Sequence, residues 1–288
     1  MKNTEKSKTI DLDLNYPHIK VNQYTSYEPD SIPLHSHPFY EIIYCEDGYI
    51  HYLIGDKRYH IHSGDIILIP PGVSHRPLFY DRMSVPFSRI SVQLSSELLR
   101  HIIKLCPDSF LERLQSRDHF LLRTEGTAYK YLESFFRQIL SESGQTMPLW
   151  DVSLYGNTCV LLVHLCRALI STENNFPSEN RENIDLIISY IEKHYEEKLS
   201  LEETAHRFHI STSTLSKLFF NKLGTSFYHY VTQRRLINSK LKIEQGNSME
   251  EVALTCGFCD YSAFYRAFKK EYGISPREYK HLSIRSAE

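Results

Sequence analysis

Three histidines and one glutamate near the N-terminus have the residue types and the spacing of a binding site. The run His35-Ser-His37-x3-Glu41 places two imidazoles and a carboxylate within a short segment, and His75 follows a turn rich in Gly and Pro. Imidazole nitrogen and carboxylate oxygen are suitable ligands for Zn, Fe, Mn or Ni. The same polar groups can instead line a pocket for a small molecule or brace a β-structure. All three interpretations stay open at this point.

A second candidate for chemistry is the pair Cys256-Gly-Phe-Cys259. A Cys-x-x-Cys pair is typical of a redox centre or of half a zinc site. No second such pair and no His pair lies nearby in the sequence to complete a zinc site. Asp260, directly after the pair, is a residue type that caps helix N-termini. We therefore interpret the pair as the end of one helix and the turn before the next.

The sequence around these candidates changes from strands to helices along the chain. Residues 20–95 contain short runs rich in Ile, Tyr and Leu that are separated by Gly and Pro, which predicts a barrel or sandwich. Later apolar residues have helical spacing. The predicted fold class is α+β, with an N-terminal β-barrel and a C-terminal all-α domain. The predicted regions are the barrel at 1–95, a helical region at 96–171, a polar linker at 172–183, and the all-α domain at 184–288.

The last hundred residues contain an internal repeat. Residues 200–205 (SLEETA) return 48 positions later as residues 248–253 (SMEEVA). Each Ser-x-x-Glu start is a capping box, which begins a helix. A short break and a second helix with an apolar face follow in both copies. The repeat therefore predicts two helix-turn-helix units.

The outward faces of the two second helices indicate a function. Residues 211–222 and 261–270 contain no acidic side chain. Small polar and basic side chains suit base edges and phosphates in a DNA major groove. The predicted DNA-binding residues are Ser213, Thr214, Ser216, Lys217, Tyr261, Ser262, Tyr265, Arg266 and Lys269. The alternative is a generic helical bundle with a solvated basic face.

Residues 257–280 resemble the C-terminal signature of the AraC/XylS family of bacterial transcription regulators. The matching residues are Gly257-Phe258, Phe264, Arg266, Phe268-Lys269, Gly273, Ser275-Pro276 and Tyr279. The resemblance covers residues 184–282 and implies double-stranded DNA and RNA polymerase as partners. It also implies a linker helix at about residues 226–245 that sets two recognition helices into successive major grooves, roughly 34 Å apart.

Two positions depart from the family pattern, and two arginines lie in the linker helix. Lys217 stands where Arg is frequent, which keeps the charge but loses bidentate readout of guanine. Phe220 stands where a basic residue is common, so a phosphate contact is lost there or the side chain meets another protein. We expect at least one of Arg234 and Arg235 to pair inside the domain.

The N-terminal candidates resemble the two motifs of the cupin barrel. In metal-binding cupins the positions of His35, His37, Glu41 and His75 hold a divalent metal, so these four are the predicted metal ligands. The second motif departs from the pattern, because Phe79 stands where Asn is usual. Many regulators of the AraC/XylS family have a similar pattern in a barrel that senses a sugar or another small molecule. The predicted effector is therefore a carbohydrate or related metabolite, bound by His35, His37, Glu41, Tyr44 and His75.

Composition limits the remaining possibilities. The chain has 288 residues, a net charge of −2 and six cysteines, too few for a disulfide scaffold. The polar N-terminus is not a signal peptide. The most apolar segment, residues 148–170, is interrupted by charged and polar side chains and is a poor membrane span. We therefore predict a cytoplasmic protein without a membrane partner.

Two apolar helices, predicted at 127–141 and 148–171, are interpreted as the interface of a homodimer. The alternative is that they pack only against their own barrel.

Two functions fit the sequence. One is a ligand-responsive DNA-binding regulator without catalytic residues. The other is a metal-dependent cupin enzyme, such as a dioxygenase or isomerase, with a helical appendage. A third interpretation is a regulator controlled by a protein partner. The enzyme does not explain the duplicated helix-turn-helix units, so a regulator that is not an enzyme is the favoured prediction.

Overall fold

The strands that the structure describes in the N-terminal part form two antiparallel sheets. The computed structural model describes residues 19–27, 32–79, 86–103, 120–144, 148–171 and 182–285. The described strands are β1 (Ile19–Ser26), β2 (Tyr40–Asp47), β3 (Tyr49–Ile54), β4 (Lys57–His62), β5 (Ile66–Ile69), β6 (His75–Leu78), β7 (Phe87–Leu94) and β8 (Phe120–Leu122). One sheet has the order β1-β7-β2-β5-β8 and the other the order β4-β3-β6. The predicted α+β class is confirmed.

Strand β2 lies in the middle of the larger sheet and is buried on both faces. Ile43 and Cys45 pack in the core between the sheets, together with Ile54 of β3. Ile42 and Tyr44 pack on the other face, in the core that the following helices cover. This division follows from the alternation of side chains along a strand. The alternation also decides which residues of β2 can share a site.

The described residues between β7 and residue 171 contain three helices: α1 (Ser96–Ile103), which precedes β8, and α2 (Leu132–Glu142) and α3 (Trp150–Ser171), which follow it. Phe136 of α2 and Leu161 of α3 are fully buried in the core on the larger sheet. The helix predicted at 127–141 begins later, because the Thr127 hydroxyl accepts a hydrogen bond from the Tyr129 N–H and holds a turn. Among the helices that the structure describes, none combines the length and the apolar character needed to span a bilayer.

Seven helices make up the described C-terminal part. They are α4 (Asn183–His194), α5 (Leu201–Arg207), α6 (Thr212–Leu223), α7 (Phe227–Glu244), α8 (Met249–Thr255), α9 (Tyr261–Tyr272) and α10 (Pro276–Arg285). Helices α5 and α6 form the first helix-turn-helix unit, and α8 and α9 form the second. Residues 172–181 of the predicted linker lie outside the described residues, so the domain boundaries stay a prediction.

The four helices of the two units begin with matching N-caps. Ser200 and Ser248 accept hydrogen bonds from the N–H groups of Glu203 and Glu251 at the start of α5 and α8. The recognition helices α6 and α9 are capped by Ser211 and Asp260. The repeat in the sequence is therefore a repeat of local hydrogen bonding, because each cap satisfies an amide that the helix leaves unpaired.

Helix α7 joins the two units and is buried on more than one side. It starts after the N-cap Ser226 and ends at the C-cap Gln245, as the family resemblance implied. Tyr230 and Ile237 pack in the core of the first unit, and Leu236 and Ile243 pack in the core of the second. Both units therefore share one rigid element.

The N-terminal sheets pack against the first unit and against α7. Leu34, Leu53 and Leu78 of the N-terminal part belong to the same core as helices α4, α6 and α7. Arg58 on β4 makes a bidentate pair with Asp185 on α4, with N–O distances of 2.6 and 3.1 Å. A planar guanidinium matches a carboxylate in this way, so the contact defines how β4 is oriented relative to α4.

The capping serines offer a test of this local organisation. Replacing Ser248 by Ala should lower the free energy of unfolding by about 1 kcal/mol, because an amide at the start of α8 loses its acceptor. Ser200→Ala should have a similar effect on α5. Urea denaturation followed by circular dichroism measures both. The matched control is Ser216→Ala in the exposed middle of α6, which should cost nothing measurable. An equal loss in the control would contradict the assignment of the caps.

Candidate functional site

The predicted N-terminal site is a compact cluster of three side chains. Glu41 lies at the start of β2, His75 at the start of β6, and His37 in the loop that precedes β2. The Nε2 atoms of His37 and His75 lie 3.2 and 3.1 Å from the same oxygen of Glu41, Oε2. His75 and Glu41 are buried and His37 is nearly so. Within the described part of the chain, this is the one group of three or more His, Cys, Asp or Glu side chains with the spacing of a metal site.

Neighbouring groups hold each member of the cluster in place. The Nδ1 atom of His37 lies 2.8 Å from the carbonyl oxygen of Phe39, and that of His75 lies 3.0 Å from the carbonyl of Val73. The Ser91 hydroxyl donates to the other oxygen of Glu41, at 2.6 Å. Sequence reasoning missed Ser91, because its position is defined only by the pairing of β2 with β7.

Burial and mutual contact shift the proton affinities of these groups. Burial lowers the pKa of His37. Burial would raise the pKa of Glu41, but hydrogen bonding to His37 and His75 holds it well below its usual range. The cluster therefore contains an ionised carboxylate beside an imidazole that tends to be neutral.

His35 lies beside the cluster rather than in it. Its backbone forms a bridge to His75, with N–O distances of 3.2 and 2.9 Å. Its ring lies 4.3 Å from that of His75, and its Nδ1 is 3.0 Å from the carbonyl of Pro33. Burial, together with the neighbouring imidazoles, lowers the pKa of His35 to about 3. The structure thus brings together three of the four predicted ligands and leaves His35 as a neutral neighbour.

The prediction that Tyr44 belongs to this site is wrong. Tyr44 and Glu41 are an odd number of residues apart on β2, so their side chains lie on opposite faces of the sheet. The ring of Tyr44 stacks on Phe136 of α2, with centroids 5.1 Å apart. Tyr44 is a core residue, and the spacing in the sequence already contained the signal that excludes it.

The predicted DNA-contacting residues of the first unit share one exposed face. Ser213, Thr214, Ser216 and Lys217 are all exposed on α6, while Leu215 and Phe219 are fully buried beneath them. The Thr214 hydroxyl lies 2.8 Å from that of the N-cap Ser211, so part of its hydrogen-bonding capacity is used by the cap. Phe220 is 71% exposed on the same helix.

The second recognition helix, α9, separates its predicted residues into two groups. Ser262, Arg266 and Lys269 are exposed. Tyr261 and Tyr265 are half-buried, and Tyr261 also packs against the apolar core of the second unit. The hydroxyl ends of the two tyrosines remain candidates for DNA contact, whereas their rings support the helix.

The cysteine pair marks the turn of the second unit. Cys256 is buried at the end of α8, and burial raises the pKa of its thiol to about 11. Cys259 is exposed beside Asp260, the N-cap of α9. Gly257 between them has a φ of 82°, and a Cβ there would lie 2.6 Å from the carbonyl oxygen of Tyr195. The turn therefore requires a glycine, and the pair is explained by the turn rather than by redox or zinc chemistry.

Both arginines of the linker helix have internal roles, as we expected for at least one. Arg235 donates to the carbonyls of Tyr195 and Glu197, at 2.8 and 2.7 Å. Arg234 bonds the carboxylate of Glu192 on α4 and the hydroxyl of Ser74, next to the histidine cluster. Sequence reasoning did not find the link to Ser74, because nothing local connects residues so far apart in the chain.

Comparison with known proteins agrees with these features. Residues 23–184 match the family described as "AraC-like ligand binding domain", and residues 204–281 match "Helix-turn-helix domain". The transcriptional activator RhaS of Escherichia fergusonii is 26% identical over 261 residues, which cover 86% of this chain and 87% of RhaS. RhaR of Yersinia pseudotuberculosis, also a transcriptional activator, is 26% identical over 272 residues, with 90% and 88% covered.

Among solved structures, ToxT of Vibrio cholerae is 15% identical, with a TM-score of 0.39 over 92% of this chain and 98% of ToxT. The ligand-binding family alone matches more than half of the chain, and the helix-turn-helix family matches the C-terminal part. The chain therefore belongs to the AraC/XylS family of DNA-binding transcription regulators, with an N-terminal ligand-binding domain.

Proposed function

We propose that the protein activates transcription in response to a small molecule bound in its N-terminal domain, and that it is not an enzyme. The observation that carries this proposal is the pair of recognition helices with exposed faces free of acidic residues, at 211–222 and 261–270. Both faces are turned away from the apolar cores of their units. RhaS and RhaR are both named as transcriptional activators, which supports activation rather than repression of transcription.

The enzyme alternative has less support. Two histidines and one carboxylate also occur in iron oxygenases, so the cluster alone would permit a cupin dioxygenase or isomerase. That function would leave the two capped helix-turn-helix units without a role. A regulator that acts on DNA in the cytoplasm accounts for both parts of the chain.

The effector is proposed to bind at the cluster of His37, Glu41 and His75, next to His35. Imidazole and carboxylate groups hydrogen-bond well to hydroxyl groups, which supports a carbohydrate or a related metabolite. The segments that carry His37 and His75 contact helix α7 through the Ser36 carbonyl, which accepts from Lys240, and the Ser74 hydroxyl, which accepts from Arg234. A ligand that binds one arrangement of these segments better than another shifts how the two DNA-binding units are held.

Helix α3 supports the proposal of a homodimer. Its inner face, with Leu154, Leu161 and Leu165, is buried on the larger sheet. Its outer face is also apolar, with Val152 and Val163 exposed by 61% and 37%, and Tyr155 and Val160 between them. A helix that is apolar on two faces needs a second partner. A second copy of the chain would bring four helix-turn-helix units to one DNA site.

Phe220 supports a further partner. It is an exposed aromatic side chain at a position where a basic residue is common in the family pattern. An aromatic anchor of this kind is typical of protein interfaces. We propose that RNA polymerase contacts this side of α6.

Arg266 is predicted to read a base edge. Arg266→Ala should weaken binding to the selected operator by about 1–3 kcal/mol, because a bidentate contact to guanine is lost. Fluorescence anisotropy at fixed salt, with an operator recovered by selection from random DNA, measures the change. Lys198→Ala removes a charge from the exposed loop between α4 and α5, outside both recognition helices, and serves as the control. Undiminished affinity of Arg266→Ala would remove this residue from the readout.

The effector proposal predicts a separation of sensing from DNA binding. In a thermal-shift screen with monosaccharides and sugar phosphates, at least one compound should raise the melting temperature of the wild-type protein. The double variant His35→Ala, His37→Ala should lose this response and keep its affinity for operator DNA, since the recognition helices are unchanged. A compound that stabilises the variant as strongly as the wild type would place the effector elsewhere.

The dimer proposal predicts that charge on the outer face of α3 separates the subunits. Val152→Glu combined with Val163→Glu should convert a dimer to a monomer in sedimentation-velocity experiments, because two carboxylates would be buried at the interface. Gln138→Glu combined with Ser141→Glu adds the same charge to exposed positions of α2 and should leave the dimer intact. A wild-type protein that sediments as a monomer at high concentration would contradict the proposal.

A further inference from the structure

The two faces of strand β6 have different neighbours. His75, a member of the histidine cluster, pairs in register with Ile54 of β3, and Ile54 lies in the core between the sheets. Arg76 pairs with Leu53. Leu53 and Leu78 belong to the core that the N-terminal part shares with helices α4, α6 and α7. Because directly opposite residues of an antiparallel pair share a face, β6 directs His75 into the barrel and Arg76 towards the DNA-binding units.

Arg76 reaches across the domain boundary to the recognition helix α6. Its Nη2 atom donates a hydrogen bond to the carbonyl oxygen of Leu223, the last residue of α6. The side chain is partly buried. A Cβ atom on Gly224, the C-cap of α6, would lie 3.5 Å from the same Nη2 atom. The guanidinium therefore contacts the end of α6 within the packed boundary between the two domains.

The carbonyl groups at the end of α6 need partners from outside the helix. The last four carbonyls of an α-helix have none within it. The N–H of Gly224 bonds the Phe220 carbonyl at 2.9 Å, and the N–H of Thr225 reaches the Phe219 carbonyl at 3.5 Å. The Leu223 carbonyl receives its hydrogen bond from the N-terminal domain. A positive charge at this end also interacts favourably with the helix dipole.

We propose that Arg76 is a positioning residue for DNA recognition, through which β6 connects the histidine cluster to helix α6. A helix rises 1.5 Å per residue, so Leu223 lies about 15 Å from Ser213 along the axis of α6. A bond that holds one end of a rigid helix restricts the tilt of the other end, which carries the predicted DNA contacts. The positioning role stands on the contacts of Arg76 alone, whereas the connection to an effector rests on the proposed function.

Ser74 provides a second contact on the same side of β6. Its hydroxyl accepts a hydrogen bond from Arg234 on α7. His75 lies between Ser74 and Arg76 in the chain, and consecutive Cα atoms are 3.8 Å apart. A shift of His75 on ligand binding therefore displaces the contacts to α6 and to α7 together.

Hydrogen–deuterium exchange of the full-length chain without DNA tests the contact with α6. Arg76→Met keeps much of the apolar side chain but removes the donor, so backbone amides at residues 220–225 should exchange faster than in the wild type. Arg76→Lys can donate one bond to the same carbonyl and should restore slow exchange. The matched control is Arg89→Met on β7, where Arg89 contacts the rings of Tyr24 and Phe87. It should leave these amides unchanged.

Three outcomes overturn the contact as a cap of α6. One is unchanged exchange at residues 220–225 in Arg76→Met. Another is equally fast exchange in Arg76→Lys, which would attribute the effect to packing rather than to a donor. The third is an equal rise in α9, which belongs to the other unit.

Affinity for the selected operator tests the positioning role. Arg76→Met should raise the dissociation constant about two- to fivefold, the range expected from a charge at a helix C-terminus. Arg76→Lys and the control Arg89→Met should bind as the wild type does. Undiminished affinity of Arg76→Met overturns the positioning role. A wild-type protein that binds no DNA would contradict the proposed function instead, and the exchange result would stand.

A double-mutant cycle tests the connection to the histidine cluster. Glu41→Gln removes the charge that faces His75 and should change the exchange of residues 220–225 when Arg76 is present. The change should disappear in the Arg76→Met background. The same change in both backgrounds, or none in either, overturns the connection. Neither DNA nor an effector enters this measurement, so its failure is distinguishable from failure of the proposed function.

Discussion

The burial of polar side chains on helix α7 is the constraint on which the arrangement of the chain depends. A charged group without water must find a partner, or its burial costs several kcal/mol. Arg234 donates hydrogen bonds to Glu192 on α4 and to Ser74 in the N-terminal domain. Lys240 donates to the carbonyl of Ser36. These bonds tie the helix that joins the two DNA-binding units to the domain that carries the ligand site.

This arrangement favours control through the orientation of the DNA-binding units rather than through blocking of the helix faces that are predicted to contact DNA. The faces of α6 and α9 that carry the predicted DNA contacts are exposed while the N-terminal domain is in place. The N-terminal domain instead contacts α4, through the Arg58–Asp185 pair, and α7, through Arg234 and Lys240. On the function proposed above, a ligand that alters these contacts would change how α7 and the two units that it joins are held against the N-terminal domain.

The histidine cluster shows how local sequence and strand pairing contribute to one site. The spacing of His37 and Glu41 could be read directly, because both precede or begin the same strand. The sequence could not show that His75, and not His35, contacts Glu41. That contact depends on the bridge between two segments that are far apart in the chain. Tyr44 lies on the other face of the sheet, against Phe136, because side chains alternate along a strand. Ser91 reaches Glu41 only because β7 pairs with β2.

By itself, the sequence determined the features that depend on neighbouring residues: the caps at Ser200, Ser248 and Asp260, the linker helix that ends at Gln245, and the exposed faces of the recognition helices. Helix starts and amphipathic faces are set by contacts within a few residues, so a pattern reveals them. Only the tertiary structure decided which histidines meet Glu41 and that Ser36 and Ser74 hold α7. Those contacts join residues far apart in the chain, and their geometry exists only after the sheets have paired and the two domains have packed.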